Sequence, residues 1–314
     1  MRASAGIQAA RAPSKAERRS RLADNEVRLG RIMLAPAIVY IVALVGLPFL
    51  LALVYSVTNV TVGNTEVRFA GLENFAAAVQ NPTFLRALRN TFLFAFVSQA
   101  LVMVLASFLA AALQKDFRGK WLVRLLILLP WVAPISLGTI GWLWILEPIY
   151  SVINWTLRAI HVFGPNTWPI WLGQANLALG SVITVHVWRL LPLATVIVLG
   201  GFSSIPQDII DAAAVDGASF WRRHFQITVP LVLPIMLVAM LFGVIFAFTD
   251  MIVVYVLTRG GPYDMTQVLA SLAFFTGIEG GDLAGGAAIA LFLFPLLAAS
   301  AIFLLRVARR TEVT

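Results

Sequence analysis

The chain has 314 residues, of which 60% are hydrophobic and only 12% are charged. Because an ordinary soluble domain carries about 25% charged residues, this composition excludes a soluble protein and indicates a polytopic membrane protein. The absence of cysteine excludes disulfides, thiol catalysis and thiolate metal sites, and the three histidines lie too far apart in sequence to suggest a metal site.

Six segments are long and apolar enough to cross a bilayer, for which a helix needs roughly 20 apolar residues. In chain order they are residues 32–57, 88–113, 121–146, 179–202, 231–257 and 283–305. Only helices satisfy their own backbone hydrogen bonds across lipid without closing a barrel. We therefore predict an all-α integral membrane protein with six transmembrane helices. It comprises a basic tail over residues 1–28 and one six-span domain over residues 29–314.

Lysine and arginine predict the orientation, because cytoplasmic loops carry an excess of them. Of the 23 basic residues, seventeen lie in the N-terminal tail, the loops after spans two and four, and the C-terminal end, against five in the other loops. Both termini are therefore predicted to be cytoplasmic. The net charge of +8 is interpreted as this orientation signal and as an attraction to anionic membrane lipids, not as nucleic-acid binding.

The polar loop between spans four and five, residues 203–228, has helix signals of its own. Ser204 and Gln207 are spaced as a capping box, with Pro206 in the first turn. Asp211 falls near the positive N-terminal end of the predicted helix, and Gly217 stands where a helix usually stops. A short helix with alanines that permit close approach is suited to docking into a cleft of another protein.

No segment has the pattern of a nucleotide-binding loop. The glycine-rich turn 258–262 lacks both a preceding strand and the Gly-Lys-Ser/Thr ending that phosphate binding requires. This chain is therefore predicted not to hydrolyse ATP by itself. We predict no catalytic residue, no metal and no cofactor on it.

The segment Asp211–Ala218, followed by Pro230, resembles the "EAA…G…I.LP" signature loop of permease subunits of ATP-binding-cassette importers, although Asp211 stands where that family usually has Glu. Further motifs follow in the family's order, and together they resemble the carbohydrate-uptake permeases of the maltose, trehalose and glycerol-phosphate type. They are Gly71–Phe75, Phe84–Thr91, Leu129–Pro134, Trp142–Trp144, Trp188-Arg189 with Pro192, and Leu257–Pro262.

The resemblance implies a type I importer permease fold in a bacterial plasma membrane and a set of partners. These are a second permease subunit, two ATP-binding-cassette ATPase subunits that carry ATP and Mg²⁺, and an extracytoplasmic sugar-binding protein. In that family the signature loop is the coupling helix, which seats on the ATPase. The coupling residues carried over to this chain are Asp211, Ala212, Ala213, Asp216, Gly217 and Ala218.

Asp250 and Arg189 are ionisable residues inside predicted spans, where such groups are costly and usually face a cavity or a partner. One interpretation is that they pair with each other. The alternative is that Asp250 lines the substrate path with Arg189 and accepts hydrogen bonds from sugar hydroxyls. Aromatic residues such as Trp142 and Trp144 would then stack on sugar faces.

Two other classes of function remain open on the sequence. An intramembrane Mg²⁺-dependent prenyl-type transferase could use Asp208, Asp211 and Asp216, but no second acidic cluster completes the oxygen ligands that such a metal needs. A secondary transporter would predict an internal repeat, and the two halves of the chain show none.

Overall fold

The computed structural model describes residues 26–64, 66–164 and 167–311, and all regular secondary structure in these ranges is helical apart from one isolated bridge between Thr58 and Phe69. By contacts the chain divides into two units, Met1–Val54 and Tyr55–Thr314. Most of the predicted tail over residues 1–28 lies outside the described residues, and the first helix begins at Glu26.

The first unit contains α1 and most of α2, which are joined by a π-helical turn over Val42–Gly46. The remaining helices belong to the second unit, where a second π-helical turn over His224–Thr228 precedes α11 and a third over Phe275–Glu279 follows α13. The helices are α1 (Glu26–Ile41), α2 (Leu47–Ser56), α3 (Glu73–Gln80), α4 (Pro82–Gln114), α5 (Lys120–Val132), α6 (Ile135–Leu146), α7 (Val152–Ala159), α8 (Ala175–Ser203), α9 (Gln207–Val215), α10 (Phe220–Arg223), α11 (Val229–Thr249), α12 (Ile252–Leu257), α13 (Leu269–Phe274) and α14 (Leu283–Thr311).

Among the described residues, five continuous helical stretches are long and apolar enough to cross a membrane, and the count rises to six if the bent pair α5 and α6 forms one span. The prediction of six spans agrees with the larger of these two counts. The continuous stretches are Arg28–Ser56, Pro82–Gln114, Ala175–Ser203, Phe220–Thr249 and Leu283–Arg310.

The third span is not the straight helix that its apolar run predicts, because α5 and α6 meet at an angle of 100°. Ala133, between them, is extended, with φ −65° and ψ 140°. It precedes Pro134, and a residue before proline is pushed out of the helical region by the proline ring. The bend therefore has a local cause in the sequence.

The fifth span also differs from the prediction of one helix over residues 231–257. Helix α11 ends at Thr249, Asp250 is extended, and α12 starts at Ile252. The Asp250 carboxylate accepts a hydrogen bond from the backbone N–H of Val253 at 3.2 Å. An aspartate side chain that satisfies a backbone donor in this way competes with continuation of the helix and favours the start of a new one.

Helices α4, α8 and α11 pack together in the second unit and carry the apolar core that supports the 203–228 loop. Small residues at the contact, such as Ala106, Ala110 and Ala194, are buried and allow the helix backbones to approach closely. Phe202, at the end of α8, is 1% exposed and belongs to the same cluster. The loop is thus attached to well-packed helix ends on both sides.

Candidate functional site

Helix α9 confirms the short helix that was predicted within the 203–228 loop, but its N-terminus is not built as predicted. Pro206 occupies the N-cap position, and no side chain caps the helix. Ser204 instead donates its hydroxyl to the carbonyl of Gly201 at 2.7 Å. The predicted capping box is therefore wrong, because the serine is engaged by the end of α8 before α9 begins.

The C-terminus of α9 is built as the glycine predicts. Gly217 has a φ of +73°, in the left-handed region that favours glycine. The N–H of Gly217 donates to the Ala214 carbonyl at 3.1 Å, and the N–H of Ala218 donates to the Ala213 carbonyl at 3.0 Å. This pair of bonds is the Schellman arrangement, which satisfies the last carbonyls of a helix and turns the chain sharply.

The six residues predicted to face an ATPase do not share one environment. Asp211, Ala212, Asp216 and Gly217 are exposed, and Ala218 is half-buried. Ala213 is only 7% exposed, so its small side chain packs within this chain and is not available at the surface. The Asp211 carboxylate accepts a hydrogen bond from Gln207 Nε2 at 2.9 Å. The role of these residues in ATPase contact remains a prediction.

His224 fixes the returning part of the loop to α4. Its ring is 3% exposed, and its Nε2 atom is hydrogen-bonded to the hydroxyl of Ser107 at 2.9 Å. The rings of Phe108 and Phe220 stack on it at centroid distances of 5.4 and 5.9 Å. This role of His224 was not predicted from the sequence. The only signal for it is its place among the aromatic residues at positions 220–225.

Asp250 and Arg189 come together in the second unit, and His186 completes the cluster. The Asp250 carboxylate lies 2.6 Å from His186 Nδ1 and accepts a hydrogen bond from Arg189 at 3.1 Å. The side chains of His186, Asp250 and Arg189 are 0%, 2% and 17% exposed. With the bond from Val253, both carboxylate oxygens have donors. The interpretation that the charges pair matches this geometry.

The cluster links α8 to the break after α11. A buried charge is tolerated when it is paired and its hydrogen-bonding capacity is satisfied, and the Asp250 carboxylate meets both conditions. Such an arrangement can hold two helices in register, and it leaves little of the carboxylate surface for a ligand. Contact of Asp250 or Arg189 with substrate stays a prediction.

Trp142 and Trp144 are not brought together. Trp142 is half-buried and packs edge-on against Trp188 at a centroid distance of 5.7 Å, whereas Trp144 is 64% exposed. Trp142 lines a cavity of about 250 Å³ that also contains Trp171 and Thr184. The role of Trp142 and Trp144 in a substrate path stays a prediction.

Two asparagine side chains of the sequence motifs connect helices to neighbouring loops by hydrogen bonds to backbone carbonyls. Asn74, in the Gly71–Phe75 motif, donates to the carbonyls of Ser56 and Thr58 at 2.9 and 2.7 Å. Asn90 donates to the carbonyls of Met265 and Gln267 at 2.8 and 3.0 Å. Asn74 and Asn90 therefore have structural roles that the motifs alone did not predict.

Among the described residues, no group of three or more His, Asp or Glu side chains is placed to hold a metal ion. Asp208, Asp211 and Asp216 thus form no metal site in this part of the chain. The arrangement gives no support to a Mg²⁺-dependent transferase.

Residues 103–313 match the family model described as "Binding-protein-dependent transport system inner membrane component". The chain belongs to this family. The match covers the third to sixth predicted spans, the 203–228 loop and α14. The family predicted from the sequence motifs is confirmed, and with it a multi-pass membrane protein.

Three relatives that are permease proteins match between 78% and 92% of the chain. The trehalose/maltose transport system permease protein MalF of Thermococcus litoralis is 31% identical over 290 residues, which cover 92% of this chain and 97% of that protein. The sulfoquinovosyl glycerol transport system permease protein SmoG of Agrobacterium fabrum is 28% identical, over 90% of this chain and 91% of that protein. The sn-glycerol-3-phosphate transport system permease protein UgpA of Pectobacterium atrosepticum is also 28% identical, over 78% and 82%.

Solved structures confirm the permease fold. A chain in the crystal structure of a bacterial alginate ABC transporter, in complex with an alginate pentasaccharide-bound periplasmic protein, aligns with a TM-score of 0.79. The alignment covers 93% of this chain and 96% of that one. The sequence identity is 19%, so the likeness shows the fold alone. The predicted type I importer permease fold is the fold of this chain.

Proposed function

We propose that this chain is a transmembrane subunit of an ATP-driven carbohydrate importer. It forms half of a translocation path with a second permease subunit and couples to a separate ATPase through residues 206–217. The observation that carries the proposal is α9, a short helix with an exposed face, terminated at Gly217 and held between the ends of two long apolar helices.

We propose that α9 acts as a lever that transmits motion of the ATPase, because it is attached firmly to the helices before and after it. Before α9, the Ser204 and Ile205 backbone N–H groups donate to the carbonyls of Gly201 and Phe202 in α8. After α9, buried His224 leads through the π-helical turn directly into α11. Displacement of α9 by a partner would therefore move α8 and α11. ATP-driven closure of the ATPase must favour one arrangement of these helices by a difference in binding free energy, since otherwise the equilibrium would not shift.

Carbohydrate is proposed as the substrate class because relatives named for trehalose and maltose, sulfoquinovosyl glycerol and sn-glycerol-3-phosphate transport match most of the chain. These compounds share hydroxyl groups on neighbouring carbon atoms. An extracytoplasmic binding protein would deliver the substrate, as the family description implies. We further propose that both termini and α9 are cytoplasmic, which the excess of basic residues on that side supports, and that the membrane is a bacterial plasma membrane.

In this proposal the chain itself performs no chemistry. ATP and Mg²⁺ are bound by two partner ATPase subunits, and no cofactor is needed on the permease. No feature of the residues that the structure describes favours a prenyl-type transferase or a secondary transporter.

Cross-linking tests the docking role directly, because the chain contains no cysteine and a single introduced thiol is therefore unique. Ala212→Cys places it on the exposed side of α9, and a thiol-specific photocross-linker is expected to capture an ATP-binding-cassette subunit in native membranes. Val67→Cys, at a position 62% exposed in the loop after the first span, is the matched control and should capture no ATPase. Equal capture at both positions, or none at Ala212→Cys, would refute the proposal.

A further inference from the structure

A cavity of about 440 Å³ lies beside α9 in the second unit, between the ends of α4 and α8 and the start of α5. Its volume falls within the roughly 300–1,000 Å³ of small-molecule sites. Four cationic side chains line it: Lys115, Lys120, Arg124 and Arg223. Among the lining residues that the structure describes, none is acidic.

The cations come from three separate segments that the fold brings together. Lys115 follows α4, Lys120 and Arg124 lie one turn apart at the start of α5, and Arg223 ends α10. Cations at a helix N-terminus oppose the helix dipole, which favours negative charge there. The start of α5 therefore adds to the positive potential of the cavity.

Most of this charge is not neutralised within the described residues. Lys120 Nζ contacts the Asp116 carboxylate at 3.0 Å. Lys115, Arg124 and Arg223 have no carboxylate within ion-pair distance in the same ranges. Like charges that share one cavity repel each other, and an anion bound between them would relieve that repulsion.

The remaining lining has the chemistry of a phosphate site with an apolar side. Polar groups are supplied by Gln114, Ser203 and Thr228, whereas Leu199 and Phe202 form an apolar wall. Arginine pairs with phosphate through two parallel hydrogen bonds, and lysine acts as a point charge. Basic pockets between transmembrane helices on the cytoplasmic side are suited to lipid head groups.

We propose that this cavity binds a phosphate group, carried either by an anionic phospholipid or by a free phosphate. The bound group would join the ends of α4 and α5 to the base of α9, because Gln207 and Ile210 of α9 also line the cavity. Binding depends on the cavity and its charges but not on docking of α9 to an ATPase. It can therefore fail while the proposed function stands, and the reverse also holds.

The test uses the full chain, purified with the subunits that accompany it and placed in lipid nanodiscs. The probe is phosphatidylglycerol, with phosphatidylcholine as the neutral comparison, and bound lipid is counted by native mass spectrometry after mild detergent extraction. Each cation near an anionic lipid contributes about 1 kcal/mol, which corresponds to roughly a fivefold change in affinity. We therefore expect Arg223→Gln to weaken phosphatidylglycerol retention about fivefold.

Two neighbouring arginines provide matched controls. Arg222 is exposed, contacts Gln226 at 3.1 Å and does not line the cavity, so Arg222→Gln should leave retention unchanged. Arg118 lies in the same loop as Lys115 and is also outside the lining. The pair Arg124→Gln and Arg118→Gln repeats the comparison on a different helix, in case one cavity variant fails to fold.

Competition with inorganic phosphate identifies the source of the bound group. Displacement of phosphatidylglycerol at low millimolar phosphate would support a free phosphate as the ligand, and retention under those conditions would support the lipid. Equal retention of the two lipids, or equal losses in Arg222→Gln and Arg223→Gln, would overturn the proposal in favour of general surface charge. Retention that disappears only when an ATPase is bound would also overturn it, because the cavity would then belong to the protein partner.

Discussion

The imidazole Nε2 of His224 lies 2.9 Å from the hydroxyl of Ser107, although the two residues are separated by 117 positions. This contact joins the loop that carries α9 to α4, which packs with α8 and α11. It connects the part of the chain proposed to contact an ATPase with the helices proposed to move.

Ser107→Ala tests that connection. Loss of the hydroxyl leaves a buried imidazole nitrogen without its partner, which costs about 1–3 kcal/mol. We expect a lower thermal unfolding midpoint and weaker substrate-stimulated ATP hydrolysis by the assembled importer. Thr156→Ala is the control, because Thr156 is exposed and its hydroxyl donates to the carbonyl of Val152 in its own helix. Equal effects of the two substitutions would contradict the assigned role of Ser107.

Gly217 is the position where a side chain should interfere most with the turn after α9. Its φ of +73° costs other L-residues about 1–2 kcal/mol. Gly217 is also exposed, so a large side chain there would obstruct a docked partner. We expect Gly217→Trp to abolish uptake while the protein remains in the membrane. Gly217→Asn should keep most of the uptake, because asparagine tolerates the left-handed conformation. Uptake is measured with radiolabelled sugar, and membrane level by immunoblot; normal uptake by Gly217→Trp would contradict the coupling assignment.

Asp250 is expected to act as a structural tie between α8 and α11. Removal of one partner of a buried ion pair costs about 3–5 kcal/mol, because the other charge stays buried and unpaired. Asp250→Ala should therefore lower the unfolding midpoint strongly. The double variant Asp250→Leu with Arg189→Met should recover part of that loss, since it removes the carboxylate and the guanidinium together. If Asp250→Ala instead raised the apparent KM for sugar with an unchanged midpoint, the substrate-path hypothesis would be the better one.

Close packing between α14 and the π-helical turn over Phe275–Glu279 predicts a large effect of a single methyl group. A Cβ at Gly286 would collide with the backbone of Gly277, and a collision with backbone cannot be relieved by rotation of a side chain. We expect Gly286→Ala to destabilise the protein by about 1–3 kcal/mol. Gly200→Ala, at a helical position with open space around it, should be neutral or slightly stabilising. Unfolding midpoints in detergent compare the two variants.

The number of spans and the family could be predicted from the sequence, because length and apolarity determine membrane crossing and the motifs occur in a fixed order. The breaks at Ala133 and Asp250 could not be predicted with the same method. The apolar run continues across both positions, so hydropathy gives no sign of a break. The helix is broken by a proline ring in the first case and by a side-chain hydrogen bond in the second. Pro134 offered a signal for the first break, whereas Asp250 offered only an isolated charge.

Only those parts of the candidate site that depend on local sequence could be predicted. The end of α9 follows from a local property of Gly217, so it could be predicted. Its N-terminus was predicted wrongly, because Ser204 is used by the preceding helix, and capping rules applied to one segment ignore its neighbour. Three other features depend on residues far apart in sequence. They are the burial of Ala213, the contact of His224 with Ser107, and the hydrogen bond of His186 to Asp250. No local pattern encodes such contacts.

Co-purification tests the central claim that this chain is one permease half of an ATP-driven importer. The tagged chain is extracted from native membranes in mild detergent, and the accompanying proteins are identified and counted by mass spectrometry. The account predicts that each copy of this chain purifies with one copy of a second permease subunit and two copies of an ATP-binding-cassette ATPase. A chain that purifies alone, or only with copies of itself, would contradict it.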